Sequence, residues 1–150
     1  MHSELESKEA AFNKIIEWLK ENHFGVEVKT RNLDLSSEIQ FAANIIYPNK
    51  DKIIINITFG KKFKDNFSLG MEFSLDREFA TSIQALKDDT KKQQFYRDIR
   101  KMAFSMGFHC DTRFPKFSIH KNIFIDSLNS KQFLFDCIFN LIHYPAQVGQ

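Results

Sequence analysis

The sequence predicts an α+β fold: an antiparallel sheet with helices packed mainly on one of its faces. Three observations carry this expectation. Consecutive segments in the middle of the chain alternate apolar and polar residues with period two, helical periodicity flanks them on both sides, and the two kinds of segment fall into separate runs. The expected order is α-β-β-β-β-α-α-β-β-α in a single domain over residues 1–150. That length suits one domain, and 43% hydrophobic residues with 17 phenylalanines supply a sizeable core.

The first helix is expected to start near Ser3, where Ser3-Glu4-Leu5-Glu6 has the form of a capping box that satisfies two orphan backbone N–H groups. Phe12, Ile15, Ile16 and Leu19 recur at helical spacing, with Trp18 at the edge of the stripe, and Gly25 suits the left-handed residue that closes a helix. A short strand, Val26 to Arg31, follows.

Three longer strands come next. Phe41, Ala43, Ile45 and Tyr47 alternate with Ala42, Asn44 and Ile46, and after the turn composition Pro48-Asn49-Lys50-Asp51 a second set, Ile53, Ile55, Ile57 and Phe59, alternates with Ile54, Asn56 and Thr58. Beyond the polar loop from Gly60 to Asn66, Phe67, Leu69, Met71, Phe73 and Leu75 alternate with Ser68, Gly70, Glu72 and Ser74. A hairpin centred on Lys50 pairs Phe41 with Phe59, Ala43 with Ile57 and Ile45 with Ile55. One centred on Phe63 pairs Ile57 with Leu69 and Ile55 with Met71. The same isoleucines satisfy both hairpins, which predicts a contiguous meander.

Helical spacing returns at Phe79, Ala80, Ile83 and Leu86. Lys87-Asp88-Asp89 breaks the stripe, Thr90-Lys91-Lys92-Gln93 has capping-box form, and Phe95, Ile99, Met102, Ala103 and Met106 follow, closed by Gly107. The pattern fits two successive helices or one kinked helix. Phe108–Phe114 and Phe117–Ile125 read as a second hairpin around Pro115-Lys116, with Asp111 across from His120. A last helix, capped by Asn129 or Ser130, carries Phe133, Leu134, Cys137, Ile138 and Leu141 and is expected to end before Pro145.

On the sheet face opposite the apolar one, this pairing sets Asn44 beside Asn56, Thr58 beside Ser68 and Ile46 beside Ile54, with His109, Asp111, Arg113, Ser118, His120 and Asn122 on the second hairpin. A mostly polar face meets water; Ile46, Ile54 and Phe124 are its apolar exceptions and, if clustered, imply a dimer or peptide contact. Lys121 shares parity with the inward Ile119 and Ile123, which calls for a bulge or a snorkelling ammonium.

The chemistry-bearing residues exclude more than they select. His109, Cys110 and Asp111 are contiguous, so a strand sends neighbours to opposite faces, and no C-x-x-C or H-E-x-x-H motif is present; no metal site is expected. Cys110 and Cys137 read as small core residues, because the outward His109 and His120 do not reach an inward thiol. Asp111 and His120 lack a nucleophile beyond Ser118. No G-x-S-x-G, P-loop or G-x-G-x-x-G occurs, and no cofactor is expected. A net charge of +2 is low for a polyanion binder. Lys61, Lys62 and Lys64 around Phe63, and Arg97, Arg100 and Lys101 on a helix, nevertheless form a candidate nucleic-acid surface. The amino end, Met1 to Glu9, has no apolar signal-peptide core, and no apolar run is long enough to span a membrane; with two cysteines, a reducing cytoplasm is the expected compartment.

Phe95-Tyr96-Arg97-Asp98-Ile99-Arg100, Met106-Gly107-Phe108, Ile119 to Leu128, Lys131-Gln132-Phe133 and, near the start, Glu17-Trp18-Leu19-Lys20-Glu21-Asn22 resemble an uncharacterised archaeal family, a domain of unknown function of nearly this length. That family's element order is similar to the type III secretion chaperone fold, whose members are small dimers that bind extended polypeptide. The resemblance implies a chaperone-like, non-enzymatic, homodimeric module holding a protein or peptide partner; the open face itself offers Ile46, Ile54, Phe124, Asp111 and His120 as candidate contacts, and a small enzyme using Asp111 and His120 is the third alternative after nucleic-acid binding. It supplies no catalytic residues, and this chain lacks the marked acidity of secretion chaperones.

Overall fold

The computed structural model describes residues 4–31, 38–47, 53–75, 77–113 and 116–148. The chain runs α1 (Glu4–Glu21), β1 (Gly25–Arg31), β2 (Ile39–Tyr47), β3 (Ile53–Gly60), β4 (Asn66–Ser74), α2 (Arg77–Gln84), α3 (Asp89–Ser105), β5 (His109–Arg113), β6 (Lys116–Phe124), a 3-10 turn at Ile125–Ser127 and α4 (Lys131–Val148). This is the expected α+β order. The six strands form one antiparallel sheet, β1-β2-β3-β4-β6-β5.

Helix α1 buries Phe12, Ile15, Ile16 and Leu19, the stripe set by their spacing. Ser3, and with it the expected capping box, lies outside the described residues. Gly25 does not close the helix. The left-handed residue is His23, at φ 66°; the Phe24 amide donates to the Leu19 carbonyl at 3.0 Å and the His23 amide to Lys20 at 3.1 Å. This is the Schellman pattern, two residues earlier than expected. It frees Gly25 to open β1 opposite Ile46.

The meander has the expected register. Ile45 pairs with Ile55, Ala43 with Ile57 and Phe41 with Phe59; Ile55 then pairs with Met71, Ile57 with Leu69 and Thr58 with Ser68. The turn residues 48–52 lie outside the described residues. The second hairpin differs from expectation: Arg113 pairs with Lys116, Asp111 with Ser118 and His109 with His120, so Asp111 is not across from His120. Strand β5 stops at Arg113 and β6 begins at Lys116, leaving two residues between them rather than the looser turn implied by pairing Asp111 with His120.

Two separate helices, not one kinked helix, follow β4. The amino-terminal cap of α3 is Asp88, whose carboxylate accepts the Thr90 amide at 2.9 Å; Thr90 is inside the helix, because an aspartate two residues earlier caps equally well. Gly107, at φ +84°, closes α3 as expected, with the Phe108 amide reaching the Ala103 carbonyl at 2.8 Å. The last helix does not end before Pro145 but continues to Val148. Proline removes one N–H, and so close to the carboxyl end only a few residues follow the gap.

All four helices contribute to one side of the sheet. Phe12 of α1 stacks on Phe41 at 5.3 Å and meets Phe59 edge-on at 5.8 Å, Phe95 of α3 meets Phe117 at 6.5 Å, Tyr144 of α4 meets Phe73 at 5.6 Å, and Phe79 of α2 packs on Phe95 at 5.6 Å. The core cluster joins the rings other than Phe79 to Ile45, Ile55, Ile57, Leu69, Met71, Ile119 and Ile123.

Candidate functional site

Alternation along six paired strands fixes the opposite face. One complete row crosses it: Glu27, Asn44, Asn56, Gly70, His120 and His109, each paired with the next. Ala42, Thr58, Ser68 and Asn122 form the row beside it. Amides, hydroxyls and imidazoles therefore fill the centre, and the His109 and His120 rings lie 5.3 Å apart. Gly70 leaves a dip among them. A Cβ there would sit 3.1 Å from the Ile119 carbonyl oxygen and 3.2 Å from the Cβ of His120, so the close approach of β6 favours glycine.

The apolar side chains lie at the two ends of this face. Ile46 and Ile54 are cross-strand partners at one end, Ile54 being 46% exposed. Phe124, 56% exposed, pairs with Asn66 at the other end, six residues along the strands and about 20 Å away. The three residues do not cluster together. Phe124 instead shares its end with Ile39 and Phe63, both exposed. Sequence alternation alone sends Ile39 inward with Phe41; an irregularity between them pairs Ile39 with Gly60 and turns it to the open face. Phe63 lies over Gly60 and, with Lys62, Ile39, Thr58 and Ser68, encloses a crevice of about 200 Å³.

Under the irregularity, on the helix side, lies a residue the sequence reading passed over. Lys8 of α1 is 2% exposed, and its ammonium donates to the Gly60 carbonyl at 2.9 Å and to Gln40 Oε1 at 3.1 Å. The signal was present: position 8 precedes Phe12 and Ile15 on the apolar stripe, and a cation there demands buried acceptors.

Asp111 and Ser118 line a crevice of about 690 Å³ with Glu72, Arg113 and Lys116, and Lys116 lies 3.7 Å from Glu72. His120 belongs to the neighbouring row, so the three residues of a would-be triad are not assembled. Among the described residues no three His, Cys, Asp or Glu side chains converge as a metal site. Cys110 faces inward, where burial pushes its thiol up against a smaller opposing pull from Arg100; its neighbour Tyr144, also pushed up by burial, donates its hydroxyl to the Ile99 carbonyl at 2.7 Å. Tyr144 continues the α4 stripe three residues beyond Leu141, a spacing already present in the sequence. Lys121 points inward without a bulge, since β4 and β6 pair without a break from Asn66/Phe124 to Ser74/Lys116. Its ammonium sits 5.8 Å from the Phe133 ring and next to Cys137. It snorkels.

The profile of an uncharacterised conserved protein family, DUF2299, matches residues 11–148, nearly the whole of this architecture. The chain belongs to the DUF2299 family. No curated protein matches it. Among solved structures, an uncharacterised protein from Methanothermobacter thermautotrophicus is similar in fold, with a TM-score of 0.73 and 23% identity over 92% of this chain and 93% of that one. The family is one of unknown function, as the resemblance implied, the neighbour is archaeal, and all the motifs that carried the resemblance fall inside the matched span.

In this DUF2299 member the two basic sets line separate crevices. Lys62 belongs to the Phe63 crevice at one end of the open face, whereas Arg100 and Lys101 line another beside β5 with Phe104. Lys62 also lies 3.5 Å from Glu38. Arg97 turns its Nε to the Gln93 carbonyl of its own helix at 3.4 Å. No described helix is long and apolar enough to cross a membrane.

Proposed function

We propose that this DUF2299 chain is a non-enzymatic binding module, working as a homodimer, whose open sheet face holds an extended polypeptide. The observation that carries it is the pattern of that face: no described helix packs there, its centre offers hydrogen-bonding side chains, and Ile54 and Phe124 stand half exposed at its ends. Apolar anchors at both ends of a polar strip suit a strand-like partner, whose side chains alternate and whose amides need acceptors. The element order also resembles that of type III secretion chaperones, which bind extended polypeptide as small dimers. Fold likeness is analogy, so the face itself must be tested.

Reduced, carbamidomethylated lysozyme, which stays unfolded and is basic, is a suitable probe. Fluorescence anisotropy is expected to show binding that weakens by about tenfold on Ile54→Lys or Phe124→Lys, the loss of one buried apolar anchor. Light scattering is expected to give twice the 17.6 kDa of one chain. A monomer at high concentration removes the dimer, and binding untouched by both substitutions removes the face.

A second reading, nucleic-acid contact, is favoured by Phe63 standing 51% exposed between Lys62 and Lys64, an aromatic platform flanked by cations. It predicts a low-salt gel shift of single-stranded RNA or duplex DNA that disappears in Phe63→Ala and falls steeply with added salt. No shift at low salt ends it.

A further inference from the structure

Helix α3 gives Ile99 and Ala103 to the core, with Phe95, Met102 and Met106 packed around them. Its other side carries Arg97, Arg100, Lys101 and Phe104, spaced three and four residues apart and so aligned on one face. Phe104 is 78% exposed, more than any other large hydrophobic residue described. Among the described residues no carboxylate pairs with Arg97, Arg100 or Lys101; Asp98, on the same helix, accepts the Gln94 amide at 2.7 Å. Between Phe104 and the start of β5 lies a shallow crevice of about 350 Å³, with Arg100, Lys101, His109, the buried Phe108 and the half-buried Cys110 completing its lining. That volume is at the low end of small-molecule sites, roughly 300–1,000 Å³, and suits one bulky side chain. Strand β5 beside it is the last in the sheet, so among the described residues one edge of its backbone has no strand partner.

We propose that this crevice docks an acidic, extended polypeptide segment that inserts one large apolar side chain between Phe104 and Phe108 and places carboxylates on Arg97, Arg100 and Lys101. Charge complementarity selects the partner's sign, since Arg100 and Lys101 line the apolar slot and Arg97 follows one turn along the same helix face, none of them paired with a described carboxylate. The strand edge and the charge select polypeptide over nucleic acid: a base could stack on Phe104 and phosphates could use the cations, but neither pairs with a strand edge, and a net charge of +2 is modest for phosphate-dominated binding. Arginine beside exposed aromatic residues is also the composition of protein–protein contact cores. The site meets the open face only at His109, and its cations and Phe104 lie on α3, so the two readings are tested by different substitutions.

The test uses the full chain and a labelled ten-residue peptide of Glu and Ser with one central Leu, followed by anisotropy. Binding is expected to fall by about tenfold or more when the peptide's Glu residues become Gln, when its Leu becomes Ser, or when the protein carries Phe104→Ser or Arg100→Glu. It is also expected to weaken with added salt. Both protein residues are exposed, and thermal melts unchanged from the wild type confirm folding; Lys101→Glu is the second variant should either fail. No binding of the parent peptide, binding indifferent to these substitutions, or equal affinity for a ten-nucleotide single-stranded DNA overturns the proposal.

Discussion

Phe59→Ala is expected to lower the unfolding free energy by about 3–5 kcal/mol, the usual loss when a buried phenylalanine leaves a cavity. Phe59 is fully buried on β3 at the junction of three elements. Its ring stacks on Phe67 of β4 at 4.8 Å, meets Phe12 of α1 edge-on at 5.8 Å and meets Phe41 of β2 edge-on at 6.1 Å. Truncation therefore removes contacts that tie α1 to the meander, and the rigid strands on both sides restrict how far the gap can collapse. For a domain with a total stability of about 5–15 kcal/mol the change is severe. Urea unfolding monitored by circular dichroism measures it, with Phe104→Ala as a contrast at the exposed extreme, expected within about 0.5 kcal/mol of wild type. A loss under about 1 kcal/mol at Phe59 would show that the four-ring cluster does not hold helix to sheet.

Lys8→Ala is expected to cost about 1–3 kcal/mol, although it removes a charge from the interior. The ammonium is the donor that the Gly60 carbonyl and Gln40 Oε1 meet beneath the β2 irregularity. Deleting it leaves both acceptors in place without their cation, which is worse than deleting donor and acceptor together. A double-mutant cycle with Gln40→Ala separates the two contributions, and a coupling of about 0.5–3 kcal/mol is expected between residues in direct contact. Strict additivity would mean that the Gln40 contact contributes nothing and that the Gly60 carbonyl is the acceptor that matters. The same substitution bears on the open face, because the irregularity that Lys8 supports is what turns Ile39 outward.

The first two hairpins were legible to the residue because two independent constraints met on the same side chains. Ile55 and Ile57 had to satisfy β2 and β4 together, and only one register does so. No such constraint acted on the second hairpin. Sliding β5 by two residues keeps every side chain on its own face, so period-two alternation is blind to whether Asp111 meets His120 or Ser118. The helix ends show the same ambiguity on a smaller scale. Asp88 and Thr90 can each cap α3, and His23 adopted the left-handed conformation that Gly25 seemed made for. The candidate contacts Ile46, Ile54, Phe124, Asp111 and His120 all lie on the strands of the expected face. Their spread across it could not be read, because it depends on strand order, and β6 lies between β4 and β5.

Periodicity by itself determined the elements, their order, most of the buried set and the parity of the strand residues away from irregularities, since these follow from local geometry at spacings of two and of three to four. Tertiary structure alone decided that β6 joins β4, that Ile39 faces outward, that Lys8 and Lys121 point inward to different partners, and that Phe104 stands beside unpaired cations at an open edge. Each of these is fixed by contacts between residues far apart in the chain, where the free energy of packing and of satisfying buried polar groups outweighs local preference.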